Sequence, residues 1–356
     1  MRILYGVVGE GMGHAMRSRV VLEHLFARGH QVEIMASSRA ADFLRRHFGE
    51  RAWVHRIHGM HIDYRDNRVR RGSTLWTNLL QGGLALPRQL AAYFELLAEF
   101  HPDLVISDFD SFTYLYARLS RLPIISIDNM QVINRCALDD DAIGDQKGEF
   151  LVTRAFVKSK LPFCEHYYIS SFFPAPVRKP RTTLVPPILR PEVLAKTPTR
   201  GDHWLIYQTA EGYDALLDTL RALGVECRIY GMRRGLTDEV VDGNLRFRPF
   251  SEHAFVDDLA SARAVVAGGG FTLLGEAVYL RKPVLAVPVG GQFEQFLNAR
   301  YIQKLGYGRY ADNLDDPATL RGFEAALSAC EDSLASYVQD GNRQLFDALD
   351  ARLAQA

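Results

Sequence analysis

His14 stands in VVGEGMGHAMRS, residues 7–18, among three alternate glycines, Gly9, Gly11 and Gly13. An imidazole carried by a flexible loop just before a helix start can take a proton from a bound hydroxyl near neutral pH. Its plainer use is to cap or pack the loop. A second set of residues lies in AVVAGGGFTLLGEAVYLRKPVLAVPVGGQFEQFLNA, where Gly268, Gly269 and Gly270 join a strand-like run to a helical one. That junction leaves the first N–H groups of the helix open under the positive end of its dipole, a place for a phosphate or diphosphate. Glu276, less than two turns into the helix, could accept hydrogen bonds from ribose hydroxyls. Glu294 and Gln295 open the next helix with groups that suit a polyhydroxylated ring. Nucleoside, diphosphate and sugar would then be met in sequence.

The first glycine loop also has to be tested as a dinucleotide site. That fingerprint asks for G-x-G-x-x-G and an acidic residue at the end of the second strand, about 20 positions on. His14 occupies the third glycine's place, and Glu33 lies inside QVEIMAS rather than at its end. The pattern fails both checks.

These residues need elements to hold them. RILYGVV, QVEIMAS, PDLVISD and PIISID read as buried strands, separated by helical patterns such as SRVVLEHLFARG, LPRQLAAYFELLAEF and SFTYLYARLS. Between Ser171 and Asp202 lie seven of the fifteen prolines, a density that predicts a semi-rigid linker. Beyond it HWLIYQT, CRIYG, LRFRPF, RAVVAG and PVLAVPV resume the alternation. The expected fold is α/β, with two Rossmann-like doubly wound domains facing a cleft: residues 1–180, a linker over 181–200, and residues 201–356.

Composition fits this reading. Hydrophobic residues make up 47% and charged residues 24% of the chain, which is globular. Net charge is zero, which argues against bulk binding to nucleic acid. The four cysteines show no metal-binding spacing, and no signal-peptide pattern or spanning apolar run is visible, so a cytoplasmic location is expected.

The second glycine region resembles the donor-site signature of GT-B glycosyltransferases, the group containing UDP-glycosyltransferases and the MurG-type lipid II enzyme. The residues that carry it are Gly270, Glu276, Lys282-Pro283 and the run Glu294-Gln295-Phe296-Leu297-Asn298-Ala299. The GGFTLxxEA and GQFEQxxNA motifs look most like a small prokaryotic branch of uncharacterised glycosyltransferases. The resemblance implies that Gly268, Gly269, Gly270, Phe271 and Thr272 hold the diphosphate, Glu276 the ribose, and Glu294 and Gln295 the sugar. Phe250 and Ser251 match where such enzymes meet the nucleobase, and Thr209 matches a loop that touches phosphate. Many members have a histidine where this chain has Gly268, so backbone donors would have to replace that contact.

On the N-terminal side, Gly11, Gly13 and His14 are similar to the family's acceptor-facing loop. The resemblance implies His14 as base, with Asp108 orienting it as a carboxylate does in triads. Asp128 and Asn129 match an acceptor-side segment, where a carboxylate could replace His14 as base or simply end a strand in solvent. Asp108-Phe109-Asp110 is also a D-x-D tripeptide of the metal-binding kind, although GT-B enzymes stabilise the leaving group without metal. No cofactor is implied.

The expected partners are a nucleoside-diphosphate sugar, UDP or dTDP, and an unidentified hydroxyl acceptor. Arg65, Arg68, Arg70 and Arg71, followed by Trp76, Leu79, Leu80, Leu84 and Leu86, suit either peripheral contact with the inner face of an anionic membrane or a solvated loop entering a packed helix. Two rivals share the fold or the ligand: a non-hydrolysing sugar-nucleotide epimerase, and a non-catalytic binding module.

Overall fold

The computed structural model describes residues 1–9, 11–57, 64–65, 68–69, 94, 97, 99–208, 214–233, 235–314 and 316–355. The first sheet is built from β1 (Arg2–Val7), β2 (Gln31–Ser37), β3 (Val54–Ile57), β6 (Leu104–Asp108), β7 (Ile124–Asp128), β8 (His166–Ser170) and β9 (Thr182–Val185). Its order is β3-β2-β1-β6-β7-β8-β9, and every neighbouring pair is parallel. A two-stranded antiparallel ribbon joins β4 (Tyr64–Arg65) to β5 (Arg68–Val69). Of the helix expected over residues 86–100, Phe94, Leu97, Glu99 and Phe100 are described, the last two as a turn.

The second sheet holds β10 (Trp204–Tyr207), β11 (Cys227–Tyr230), β12 (Val240–Asp242), β13 (Leu245–Phe247), β14 (Ala264–Ala267), β15 (Val284–Ala286) and β16 (Gly308–Tyr310). The order is β12-β13-β11-β10-β14-β15-β16, parallel except for the edge pair β12–β13. Strands such as β1, β6, β7 and β14 are apolar because helices cover both faces of each sheet.

The proline-rich stretch contains more structure than a linker. Thr182–Val185, lying between Pro180 and Pro186, is free of proline and adds the outermost strand of the first sheet. Pro191 opens a one-turn helix, where its missing N–H costs nothing. The chain then crosses back. After the helix Pro317–Ala335, the last helix, Arg343–Leu353, leaves the second sheet and buries Leu345, Leu349 and Leu353 against the core of the first. The two crossing segments are stitched together by Asn342: its Oδ1 accepts from Leu189 N and its Nδ2 donates to Leu189 O, both at 2.8 Å.

Apolar packing continues between the halves. Phe172 stacks on Phe271 with ring centroids 5.7 Å apart, and Phe173 on Tyr301 at 3.8 Å. Among the described residues, no helix is long and apolar enough to cross a membrane.

Candidate active site

Strand order reverses between β1 and β6, so the loops that follow them part to opposite faces and leave a crevice at the strand ends. Val7 pairs with Asp108 there. Gly11, at φ 81°, precedes the first helix, Met12–Ala27, which has no side-chain cap. His14 lies in its first turn, with Nδ1 2.8 Å from Asp108 Oδ1. Asp108 is fully buried and accepts three more bonds: Arg17 Nη2 on Oδ1 at 2.6 Å, Arg17 Nε on Oδ2 at 3.0 Å, and Ser18 Oγ on Oδ2 at 3.0 Å. Burial alone would raise this carboxyl, but Arg17 and then His14 outweigh it and hold it at about 2. Nδ1 also lies 2.8 Å from Arg17 Nη2, a donor; with Nδ1–H directed at the ionised carboxylate, Nε2 is the basic nitrogen.

The other acidic candidates are spent on structure. Phe109 adopts a left-handed backbone, φ 58°, between two aspartates with different partners. Asp110 Oδ2 accepts from Thr113 N at 2.7 Å and Thr113 Oγ1 at 2.8 Å, capping the helix Ser111–Leu119. Asp128 is buried, its oxygens accepting from Ser126 Oγ at 2.7 Å and Gln131 N at 2.8 Å. Burial raises the Asp128 carboxyl despite those bonds. It holds the turn after β7 and does not present a solvated strand end. Among the described residues, no His, Cys, Asp and Glu side chains group to hold a metal.

Asn129 reaches across the cleft. Its Oδ1 accepts from Arg17 Nη1 at 2.7 Å, and its Nδ2 donates to Glu294 Oε1 at 2.9 Å. The same Glu294 oxygen accepts from Asn298 Nδ2 at 2.6 Å, and Asn298 Nδ2 also donates to Gly269 O at 2.9 Å. A continuous polar chain thus runs from His14 and Asp108 to the second glycine loop.

The second sheet repeats the arrangement. Its order reverses between β10 and β14, where Tyr207 pairs with Ala267, and Gly268–Gly270 follow β14. Gly270 precedes the helix Phe271–Tyr279 and supplies no side-chain cap, so the first N–H groups lack a side-chain acceptor. A Cβ on Gly269 would lie 2.1 Å from Gln295 O, and one on Gly13 would lie 2.6 Å from Thr272 Oγ1. Glycine is required at Gly269, where the obstacle is backbone; at Gly13 the obstacle is a side-chain hydroxyl, and the close approach brings the two helix starts together. Phe271 is buried in the interface, which leaves its backbone for a ligand. Gln295 Oε1 accepts from Val289 N at 3.1 Å.

Phe250 is 62% exposed and does not belong to the core. Ser251 caps the helix Glu252–Ser261, accepting from Ala254 N at 3.4 Å. Thr209 lies outside the described residues, as do Arg70, Arg71, Trp76, Leu79, Leu80, Leu84 and Leu86. Of Arg65 and Arg68 only the backbone, in the β4–β5 ribbon, is described.

Glu276 differs most from its expected place. It is 2% exposed, and its two oxygens accept from Arg190 Nε at 2.7 Å and Nη2 at 2.8 Å. The guanidinium reaches in from the crossing segment and bonds both oxygens of the residue to which the resemblance gives the ribose. Arg17 and Arg190 escaped the sequence reading, and Asn298 entered it only as part of the motif run. Arg17 lies three positions after His14 and Asn298 four after Glu294, spacings that share a helix face. Arg190 is 86 residues from Glu276, and no local pattern announces it.

Two doubly wound domains that meet at their switch points form the GT-B fold, and the protein is a glycosyltransferase. Residues 1–328 match glycosyl transferase family 1, and the chain belongs to that family. An uncharacterised glycosyltransferase of Methanosarcina mazei is 23% identical over 342 residues, spanning 87% of this chain and 85% of the relative. The spinosyn rhamnosyltransferase SpnG, solved with thymidine diphosphate, superposes with a TM-score of 0.61 at 18% identity, covering 94% of both chains. UGT2 of Phytolacca americana, solved with UDP-2-fluoroglucose and pterostilbene, gives 0.67 at 15% identity over 100% of both.

Proposed function

We propose that the protein transfers a hexose-type sugar from UDP or dTDP to an acceptor hydroxyl, inverting the anomeric centre without a metal. The observation that carries this reading is the His14–Asp108 pair set opposite an uncapped helix start, with Glu294 joined to both sides. The diphosphate rests on the backbone of Gly268–Thr272, and the sugar hydroxyls meet Glu294 and Gln295. Exposed Phe250, beside Ser251, covers the base. Glu276 contributes by anchoring its helix to Arg190. The acceptor enters from the side of Gly11, Gly13 and Asn129.

His14 Nε2 takes the hydroxyl proton as the oxygen bonds to the anomeric carbon. The bond to the diphosphate breaks, and the leaving group departs with its electron pair toward the helix N–H groups. Asp108 is the positioning residue: it fixes the tautomer and stabilises the imidazolium.

The bound nucleotides of the two structural neighbours support UDP or dTDP as carrier. Four free, buried cysteines support a reducing, cytoplasmic setting. The basic and apolar run over residues 65–86 supports a lipid-linked or cell-surface glycan precursor as acceptor, met at the inner face of the membrane.

The test combines ligand binding with turnover. Thermal unfolding is followed with UDP, dTDP, GDP and NAD, and acceptor panels with UDP- and dTDP-hexoses are read by mass spectrometry. The expected result is a shift with one uridine or thymidine diphosphate, and a glycosylated product that His14→Ala abolishes while keeping the shift. A shift with NAD alone, or full transfer by His14→Ala, overturns the proposal. A binding module would keep the shift and yield no product with any acceptor.

A further inference from the structure

Away from the cleft, the end of the helix Lys147–Lys160, the turn before β8 and the loop before β9 line an open cavity of about 410 Å³. Arg135, Lys158, Lys179 and Arg181 line it, and no Asp or Glu does. Arg135 is 8% exposed, yet its guanidinium meets only neutral groups: Nε donates to Thr182 Oγ1 at 2.7 Å, Nη2 to Pro180 O at 2.5 Å, and the plane lies 3.6 Å from the centre of the Tyr167 ring. Lys179 Nζ donates to Asn134 Oδ1 at 2.6 Å. Burial, then Arg135, Arg154, Lys158 and Arg178, pushes the Lys179 ammonium down. Asp128 is the carboxylate that acts on Arg135, and its oxygens are committed to Ser126 and Gln131.

Lys158 and Arg181 are exposed and Lys179 half-buried, so the strain falls on Arg135: withdrawing its guanidinium from water without a counter-ion is unfavourable, and an anion placed beside it relieves that. A planar guanidinium beside flexible ammonium groups matches the tetrahedral oxygens of a phosphate. Asn134 and Tyr167 also line it, and Leu161, Pro162 and Phe163 form an apolar stretch of the wall. Phe163 is 77% exposed and holds a left-handed backbone, φ 60°, two unfavourable features together at the rim.

We propose that this cavity is a second ligand site, for a phosphate group attached to an apolar moiety. The phosphate sits among Arg135, Lys158, Lys179 and Arg181, and the attached moiety lies along Leu161, Pro162 and Phe163. The site is independent of the sugar-transfer reading, since none of the candidate active-site residues lines the cavity.

The test uses the full chain and inorganic phosphate, titrated at constant ionic strength against chloride and followed by amide resonances. The double variant Lys158→Gln with Lys179→Gln leaves Arg135 packed, and an unchanged cooperative unfolding transition in phosphate-free buffer shows that its fold is intact. Phosphate affinity is expected to fall about tenfold or more in that variant. Equal phosphate affinity in both proteins, or a phosphate effect no larger than that of chloride, overturns the proposal. Sedimentation with phosphatidylcholine vesicles, with and without phosphatidic acid, separates the sources. Capture that needs phosphatidic acid and is lost in the variant assigns a lipid headgroup; phosphate binding without capture assigns a soluble phosphate ester.

Discussion

The Asp108 carboxylate receives four donors from three side chains of one helix, and that crowding keeps it ionised although it is fully buried. Its folded value of about 2 lies below the ordinary 3.8, so its stabilisation is complete above 3.8 and is lost as pH falls toward 2. A shift of that size corresponds to on the order of 2 kcal/mol. Urea unfolding followed from pH 5 to pH 2 should therefore fall more steeply for the native protein than for Asp108→Asn. The same substitution removes the charge that stabilises protonated His14. With His14→Ala, transfer is expected to drop by roughly 10²–10⁴ while nucleotide affinity stays within about twofold. Steady-state rates beside direct binding measurements separate the two effects. His14 and Asp108 stand out in the sequence because a histidine behind glycines and an aspartate ending an apolar run are locally odd. Arg17, one helical turn beyond His14, passes for an ordinary charged residue until β6 is placed beside it.

Helix starts do most of the work of aiming backbone at the cleft, and glycine makes their close approach feasible. Adding a methyl group at Gly269 puts it against Gln295 O, and no rotamer can relieve a clash with backbone. Gly269→Ala is expected to cost roughly 1–3 kcal/mol in urea unfolding and to weaken nucleotide binding by displacing the loop. Both junctions are legible because glycine runs between a strand and an amphipathic helix have few other uses. The short strands are not. His166–Ser170 reads HYYIS, with polar and aromatic residues instead of an aliphatic run, and Thr182–Val185 hides among prolines. Each becomes a strand because a neighbouring edge offers unpaired backbone groups, which is tertiary information. Arg190 and Glu276 tie the crossing segment to the helix Phe271–Tyr279 in the same hidden way. Arg190→Met leaves a buried carboxylate unpaired and is expected to lose about 3–5 kcal/mol, most of it regained in Arg190→Met with Glu276→Leu. Thermal unfolding of the two variants checks this.

Two doubly wound halves and a cleft can be expected from strand alternation, but the second crossing cannot. A terminal helix reads as part of the nearest domain in sequence, and only its buried leucines show which core it completes. Asn342→Ala removes both bonds to Leu189 and leaves a buried N–H and carbonyl without partners. A loss of about 1–3 kcal/mol is expected, seen as a lower unfolding midpoint. A single covalent tether between two lobes behaves as a ball joint, free to bend, twist and slide. Two tethers stitched side by side leave rotation about the line through both as the one soft coordinate. For a displacement that needs nucleophile, carbon and leaving group in line, that is a mechanical advantage. On the proposed mechanism, that swing sets the distance from His14 to the sugar, and the place of the hinge line sets the alignment of the three atoms.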